Sequence, residues 1–495
     1  MSLGDLLRRL GVGYLLCPPT GPTAGDVPGI RLHVAPDLAS ARLVAEAEGT
    51  MGGGLGAVLD RDVLTLVSRP VPAARREPVP AGAPADLETL VRDARRRGRG
   101  TLSVRLGFDP AAPVTPAVAD GADGSATPAG AGCDPSLAAR LATFDGDTAP
   151  PAPGAGRFDV DLVLAGRGVV RAGAQDALRS FAEATGLGVL NTFTAKGLFR
   201  WDSPFHLGTG CLQERDLALA GAGAGAGAVA TGLVAAVGVD ADECPEALLR
   251  AAGVRPEQLL HLGLDDLVRG AVGVRSRTAV GAARPRLYRE LAAVVQPLYG
   301  REDAPLNPAR AAADVAAVLP GEAAVWTEPG RAAMWLARAL PTTRLGSARV
   351  PAAGSAGVAV AGALGAVLRT GGVGVAVVDT PPRDGAVAAL VEWASRLVGT
   401  LVVEVWGDGG APRSAAQHRD HLATALARPG VHVIEVPVDF APTAALVDVC
   451  GPLVAWPGGA PRARIGDREN VARRPRPSGL RCPMRSSLWA MMAAR

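Results

Sequence analysis

Between Asp159 and Leu190 the chain reads DVDLVLAGRGVVRAGAQDALRSFAEATGLGVL. The mostly apolar run Val160 to Ala165 is too short for a helix and stops at Gly166 and Gly168, which predicts a buried strand entering a tight turn. Leu178, Phe181 and Ala182 then recur at helical spacing among charges, and Gly186 and Gly188 end that helix before Val189 opens another strand. Strand, glycine turn, helix and strand make one right-handed crossover of a doubly wound parallel sheet. A chain built around such a unit is α/β, and its 495 residues give room for about three domains.

Composition excludes several functions. The net charge of +3 is too small for a nucleic-acid binder. Six scattered cysteines, at 17, 133, 211, 244, 450 and 482, form no CxxC pair and fit a reducing compartment. Cys211 and Cys244 read as small buried residues. No charged start followed by an apolar block marks a signal peptide, so a cytoplasmic location is expected. The uncharged stretch Leu217 to Val239 is mostly Ala and Gly, and reads as helix, turn and strand rather than a membrane span. Lys196 is the only lysine, a bias that takes weight away from individual arginines.

The run LAGRGVVRAGAQDALRSFAEATGLGVLNTFTAKGLF, followed by HLGTGCLQERD and a strand ending at Asp240, resembles the middle domain of thiamine diphosphate-dependent enzymes of the acetolactate synthase and benzoylformate decarboxylase type. That resemblance implies three doubly wound parallel-sheet domains, with thiamine diphosphate and Mg²⁺ held between the first and third. Acetolactate synthases also hold FAD in the middle domain. A lone GRG turn is weak evidence for a dinucleotide, and FAD is not expected here.

The expected organisation is a pyrimidine-binding-like domain at 1–109, a linker at 110–156, a central domain at 157–290, a diphosphate-binding-like domain at 303–457 and a disordered basic tail at 458–495. RLHVAPDLASARLVAEAEG resembles the family's first domain, where a Glu at a helix start hydrogen-bonds the cofactor's aminopyrimidine ring. Asp37 stands at that position, with a side chain shorter by one bond of roughly 1.5 Å. It reads either as a helix N-cap or as a cofactor contact. The next segment jumps from GTMGGGLGAVLD to DVLTLVSRPV, so this domain keeps its beginning and end and loses its middle. A smaller, truncated sheet is expected.

In the last domain, VWTEPGRAAMWLARAL and GSAGVAVAGALGAVLRTGGVGVAVVDTPPRDG resemble the segments that lead to the diphosphate motif. Ala356-Gly357 replaces the family's Met-Gly. Where the family has Gly-Asp-Gly, with its Asp and a later Asn binding Mg²⁺, this chain has Val378-Asp379-Thr380 followed by two prolines. Glycines that would let backbone approach a phosphate are absent, and the prolines carry no amide donor. The next strand ends Trp406-Gly407-Asp408, with Gly407 in place of the Asn. The candidate set is therefore Asp37 as catalytic, Gly357, Asp379, Thr380 and Gly407 against the cofactor, and Asp379 with Asp408 as a metal pair. Asp379 and Asp408 read rather as caps in strand-end turns than as a metal pair. His418 and His421 are expected at a solvated helix start, and His206 in a structural role.

The functional expectation is a homologue of the acetolactate synthase type, acting on 2-oxo acids by decarboxylation or carboligation, with a degraded cofactor site. Its alternative is a non-catalytic relative that pairs with an intact paralogue or binds another ligand. The resemblance implies a homodimer or homotetramer, in which small-residue helices at Leu43 to Ala47 and Val358 to Leu368 would meet between subunits.

Overall fold

A computed structural model describes residues 2–22, 27–52, 54–68, 77–96, 100–110, 158–221, 233–269, 274–276, 285–383 and 385–456. The expected tail lies outside the described residues, as does the expected linker beyond Pro110, and so do Cys133 and Cys482. The described residues all belong to one compact unit. Among the described residues no helix is long and apolar enough to cross a membrane.

Three sheets follow one another. The first holds β1 (Leu15–Cys17), β2 (Leu32–Val34), β3 (Gly56–Asp60), β4 (Val63–Val67), β5 (Val79–Ala81) and β6 (Thr101–Leu106), in the order β2-β1-β3-β4-β6-β5. β1 runs parallel to β2 and β3, whereas β4 is antiparallel to both β3 and β6. The sheet is therefore mixed rather than wholly parallel, and three of its strands are only three residues long. A tight turn at Arg61-Asp62, with Arg61 at φ 55°, folds β3 back on β4. An antiparallel partner needs only such a turn, while a parallel one needs a crossover of a dozen residues or more.

The second sheet is wholly parallel: β7 (Phe158–Ala165), β8 (Val189–Thr192), β9 (His206–Gly210), β10 (Leu233–Val237) and β11 (Leu259–Leu262), ordered β11-β10-β7-β8-β9, with β12 (Val274–Ser276) beside the start of β7. The helix Gln175–Thr185 buries Leu178, Phe181 and Ala182 and ends on Gly186 at φ 70°, as its glycine stop predicts. The third sheet, also parallel, orders β14 (Ala348–Arg349), β13 (Val325–Thr327), β15 (Val373–Val378), β16 (Thr400–Gly407) and β17 (Gly430–Pro437) as β14-β13-β15-β16-β17.

Two cores weld these layers. One runs from the first sheet into the third: the helix Leu38–Ala47 lies against the helix Val358–Thr370, with Trp326 and Leu390 beneath. Gly365 is required there, because a Cβ would stand 2.7 Å from the Tyr14 hydroxyl and 3.6 Å from Val44. Leu43 and Gly357 make a second contact on the same stripe. The two small-residue helices do meet, but inside one chain. Their burial therefore does not itself call for a second copy. The other core joins the second sheet to the third, where fully buried Arg338 donates to Asp216 at 2.6 Å, to Gln213 and to the Thr209 carbonyl. Such a pair holds two layers in register because removing either partner strands the other charge.

Candidate functional site

In the third sheet the crossover after β13 leads to β14 on one side, and the one after β15 leads to β16 on the other. The carboxyl ends of β13 and β15 therefore flank the topological switch point, where ligands enter folds of this kind. Glu328 follows β13 and Asp379 follows β15.

Asp379 accepts hydrogen bonds from the Arg331 amide at 2.6 Å and the Ala332 amide at 2.9 Å. Those are the first two residues of the helix Arg331–Ala339, whose N-cap, Gly330, has no side chain to do this work. A carboxylate from the neighbouring strand thus fills the anion-favouring end of the helix. Burial raises its pKa, against the pull of the two amides. Glu328 accepts from the Gly357 amide at 2.7 Å, and its pKa is raised by burial and by the nearby Asp379. Gly357 takes φ 86° at the start of the helix Val358–Thr370, and a Cβ there would strike Val387 at 2.3 Å.

The expected partner carboxylate does not reach this point. Val378 lies beside Val405 in the parallel register, so Asp379 is level with Trp406. Asp408 stands two residues further on, roughly 6–7 Å along the strand direction, and is exposed. Gly407 is level with the exposed Thr380, and no atom lies within 4 Å of where its Cβ would be. Asp37 is exposed and N-caps the helix Leu38–Ala47 by accepting from the Ser40 amide at 2.7 Å. Among the described residues no group of three His, Cys, Asp or Glu side chains could hold a metal ion. Magnesium needs several oxygen ligands in near-octahedral array, and diphosphate needs free amide donors. In this crevice Asp379 and Glu328 both accept from backbone amides, and Asp408 does not join them.

Glu243 packs against the GRG turn. It accepts from the Arg167 amide through both oxygens, at 3.1 and 3.2 Å, where a nucleotide phosphate would otherwise look for a donor. Burial pushes its pKa up to about 7 in spite of Arg167. Asp240 takes the Arg167 Nε at 2.7 Å, and Gly166 and Gly168 allow both loops to cross at Gly238.

The sequence reading missed one cluster and misplaced another residue. His418 is fully buried, not at a solvated helix start, with Nε2 3.0 Å from Glu404 and Nδ1 3.1 Å from Asp314. Arg310 Nε donates to the same Asp314 at 2.9 Å, and Trp406 Nε1 to Glu404 at 3.0 Å. His421, three residues on, is exposed. His206 is buried with Nε2 2.7 Å from Asn191, and Cys211 and Cys244 are buried.

Residues 161–245 match the family described as thiamine pyrophosphate enzyme, central domain. No curated protein matches the chain. Among solved structures, one similar chain is a candidate thiamin diphosphate-dependent enzyme from Mycobacterium smegmatis. It is 18% identical, with a TM-score of 0.54 over 88% of this chain and 99% of that one.

Proposed function

We propose that this chain, which carries the central domain of the thiamine pyrophosphate enzymes within a three-sheet fold, is a homologue of the acetolactate synthase type whose cofactor site is degraded. The observation that carries the reading is the cap on the helix Arg331–Ala339. The carboxylate at the family's metal position is spent on that helix's amides. The other candidates point the same way. Asp37 is spent as an N-cap, and Thr380-Pro381-Pro382 offers neither glycine nor two of the amide donors. An intact member would bind a 2-oxo acid and use thiamine diphosphate as electron sink.

In this reading the protein keeps the fold to pair with a second copy or an intact paralogue, or to bind another ligand, rather than to make and break carbon–carbon bonds. The support for that role is that both interlayer cores are buried. Calorimetry with thiamine diphosphate and Mg²⁺ tests it. No binding tighter than millimolar is expected. A micromolar dissociation constant that disappears with EDTA overturns the proposal.

A further inference from the structure

The third sheet ends at β17, and part of that strand's outer edge is open. The Gly430 amide donates to the Gly399 carbonyl and the Val438 amide to the Gly407 carbonyl, so the even-numbered residues turn their backbone groups toward β16. The odd-numbered ones turn theirs outward, and the Leu306 amide accordingly donates to the Pro437 carbonyl. Gly410 closes the edge one step earlier, where a Cβ would stand 2.2 Å from the Glu435 carbonyl oxygen. Val431 and Val433 are left, each offering an N–H and a C=O with no backbone partner on that side among the described residues.

The first sheet fills the same position. Its order β2-β1-β3-β4-β6 is repeated in the third as β14-β13-β15-β16-β17. Beside β6 the first sheet carries β5, a parallel strand of three residues. Beside β17 the third carries no strand among the described residues. The open edge is instead the floor of a groove of about 860 Å³, walled by His421 and Thr424 of the helix Ala415–Leu426 and by Arg428 just beyond it. All three are exposed. Among the described residues Arg428 has no carboxylate partner, and His432 Nε2 lies 3.0 Å from its carbonyl. Glu435, at the closed end, is already paired with Arg383 at 2.6 Å. The groove therefore offers unanswered positive charge beside unanswered backbone groups.

We propose that this edge docks a short, extended, acidic peptide of another protein, which adds a strand to the sheet. Its backbone exchanges hydrogen bonds with Val431 and Val433. Side chains alternate across a strand, so apolar residues on the face of Val433, itself 46% exposed, alternate with acidic ones turned toward His432 and Arg428. A second copy of the chain fits less well. Paired antiparallel over Val431 and Val433, it would bring its own Pro429 to the place beside Glu435 that Gly410 already holds.

The probe is a fluorescein-labelled peptide of sequence Ser-Val-Glu-Val-Glu-Val-Ser, titrated into the full chain and followed by fluorescence anisotropy. Saturable binding is expected, and a peptide with Lys in place of Glu should show none. Val433→Pro removes only an outward amide, at the kind of edge position where proline is tolerated, and should weaken binding by at least about tenfold. Arg428→Glu should do the same. If Val433→Pro does not fold, a fully N-methylated peptide of the same sequence serves on the wild type and should bind as weakly. The proposal is overturned by an absence of binding, by equal binding of the lysine peptide, or by affinity that survives loss of the backbone donors. It is overturned too by a wild-type dimer that Val433→Pro dissociates in light scattering, since the edge then belongs to a second copy. None of these readouts involves thiamine diphosphate.

Discussion

His418 Nε2 lies 3.0 Å from Glu404 Oε1, and both side chains are fully buried. Burial alone would drive the imidazole neutral, but Glu404 and Asp314 outweigh it and hold the pKa at about 9. The ring therefore joins the helices Pro308–Val318 and Ala415–Leu426 to β16 as a cation between two anions. Replacing it by Gln should cost about 3 kcal/mol, since buried Glu404 loses its counter-charge while Asp314 keeps Arg310 and Arg419. The folded-state pKa is raised above the ordinary 6.5. The stabilisation is then fully present below pH 6.5 and is lost as pH rises through about 9. Denaturant titrations of wild type and His418→Gln across pH 6 to 10 should converge at the alkaline end. Parallel curves would mean that His418 is buried neutral.

Lys196 presents the opposite case. It is buried with no ion pair or hydrogen bond from its ammonium among the described residues, and burial together with Arg338 lowers its pKa to about 7. The unfolded chain holds that proton up to about 10.5, so the lysine destabilises the fold below pH 7 and the cost fades between 7 and 10.5. Lys196→Met should raise stability at pH 7 by roughly 2 kcal/mol, with a gain that shrinks toward pH 10. Unfolding midpoints at both pH values check this. A destabilised variant at pH 7 would mean that the ammonium has an anionic partner.

Asp379→Ala removes both acceptors from the start of the helix Arg331–Ala339. A loss of about 1–2 kcal/mol is expected, read as a fall in Tm. The same variant should leave calorimetry with thiamine diphosphate and Mg²⁺ as flat as the wild type. An unchanged Tm would show that the cap does not hold this helix.

How far the sequence could be read follows the range of the interactions. The strand, turn and helix at Val160 to Thr185 were legible because spacing and glycine stops are local signals. The N-cap reading of Asp37, one of two left open, is the one seen, since an N-cap contacts only its own helix. Asp379 was placed correctly at a strand end, but its role was hidden. The amides it caps lie 47 and 48 residues earlier. His418 was misread for the same reason: Asp314 is 104 residues away, and neither partner announces itself by spacing. The hairpin of β3 and β4 was missed because Asp60-Arg61-Asp62 lacks the Asn-Gly or Asp-Gly signal of a tight turn. The stripe Gly357, Ala361 and Gly365 was legible as a contact surface and so was the helix it meets, but not that the two can meet inside one chain.

That stripe gives the last prediction. Ala361 is fully buried, one helical turn from Gly357 against Leu43 and one from Gly365 against Tyr14. A guanidinium at 361 would have to sit between the helices Leu38–Ala47 and Val358–Thr370, in an apolar core. Because both helices belong to one chain, the substitution attacks folding itself. Ala361→Arg should cost more than about 3 kcal/mol, through overpacking and a buried unpaired charge. Circular dichroism should show early melting, and light scattering should show aggregation rather than a clean smaller species. If the variant is instead a well-folded monomer while the wild type is a dimer, the two helices belong to different subunits in solution. The contact between Tyr14 and Gly365 would then be one that two copies of the chain exchange.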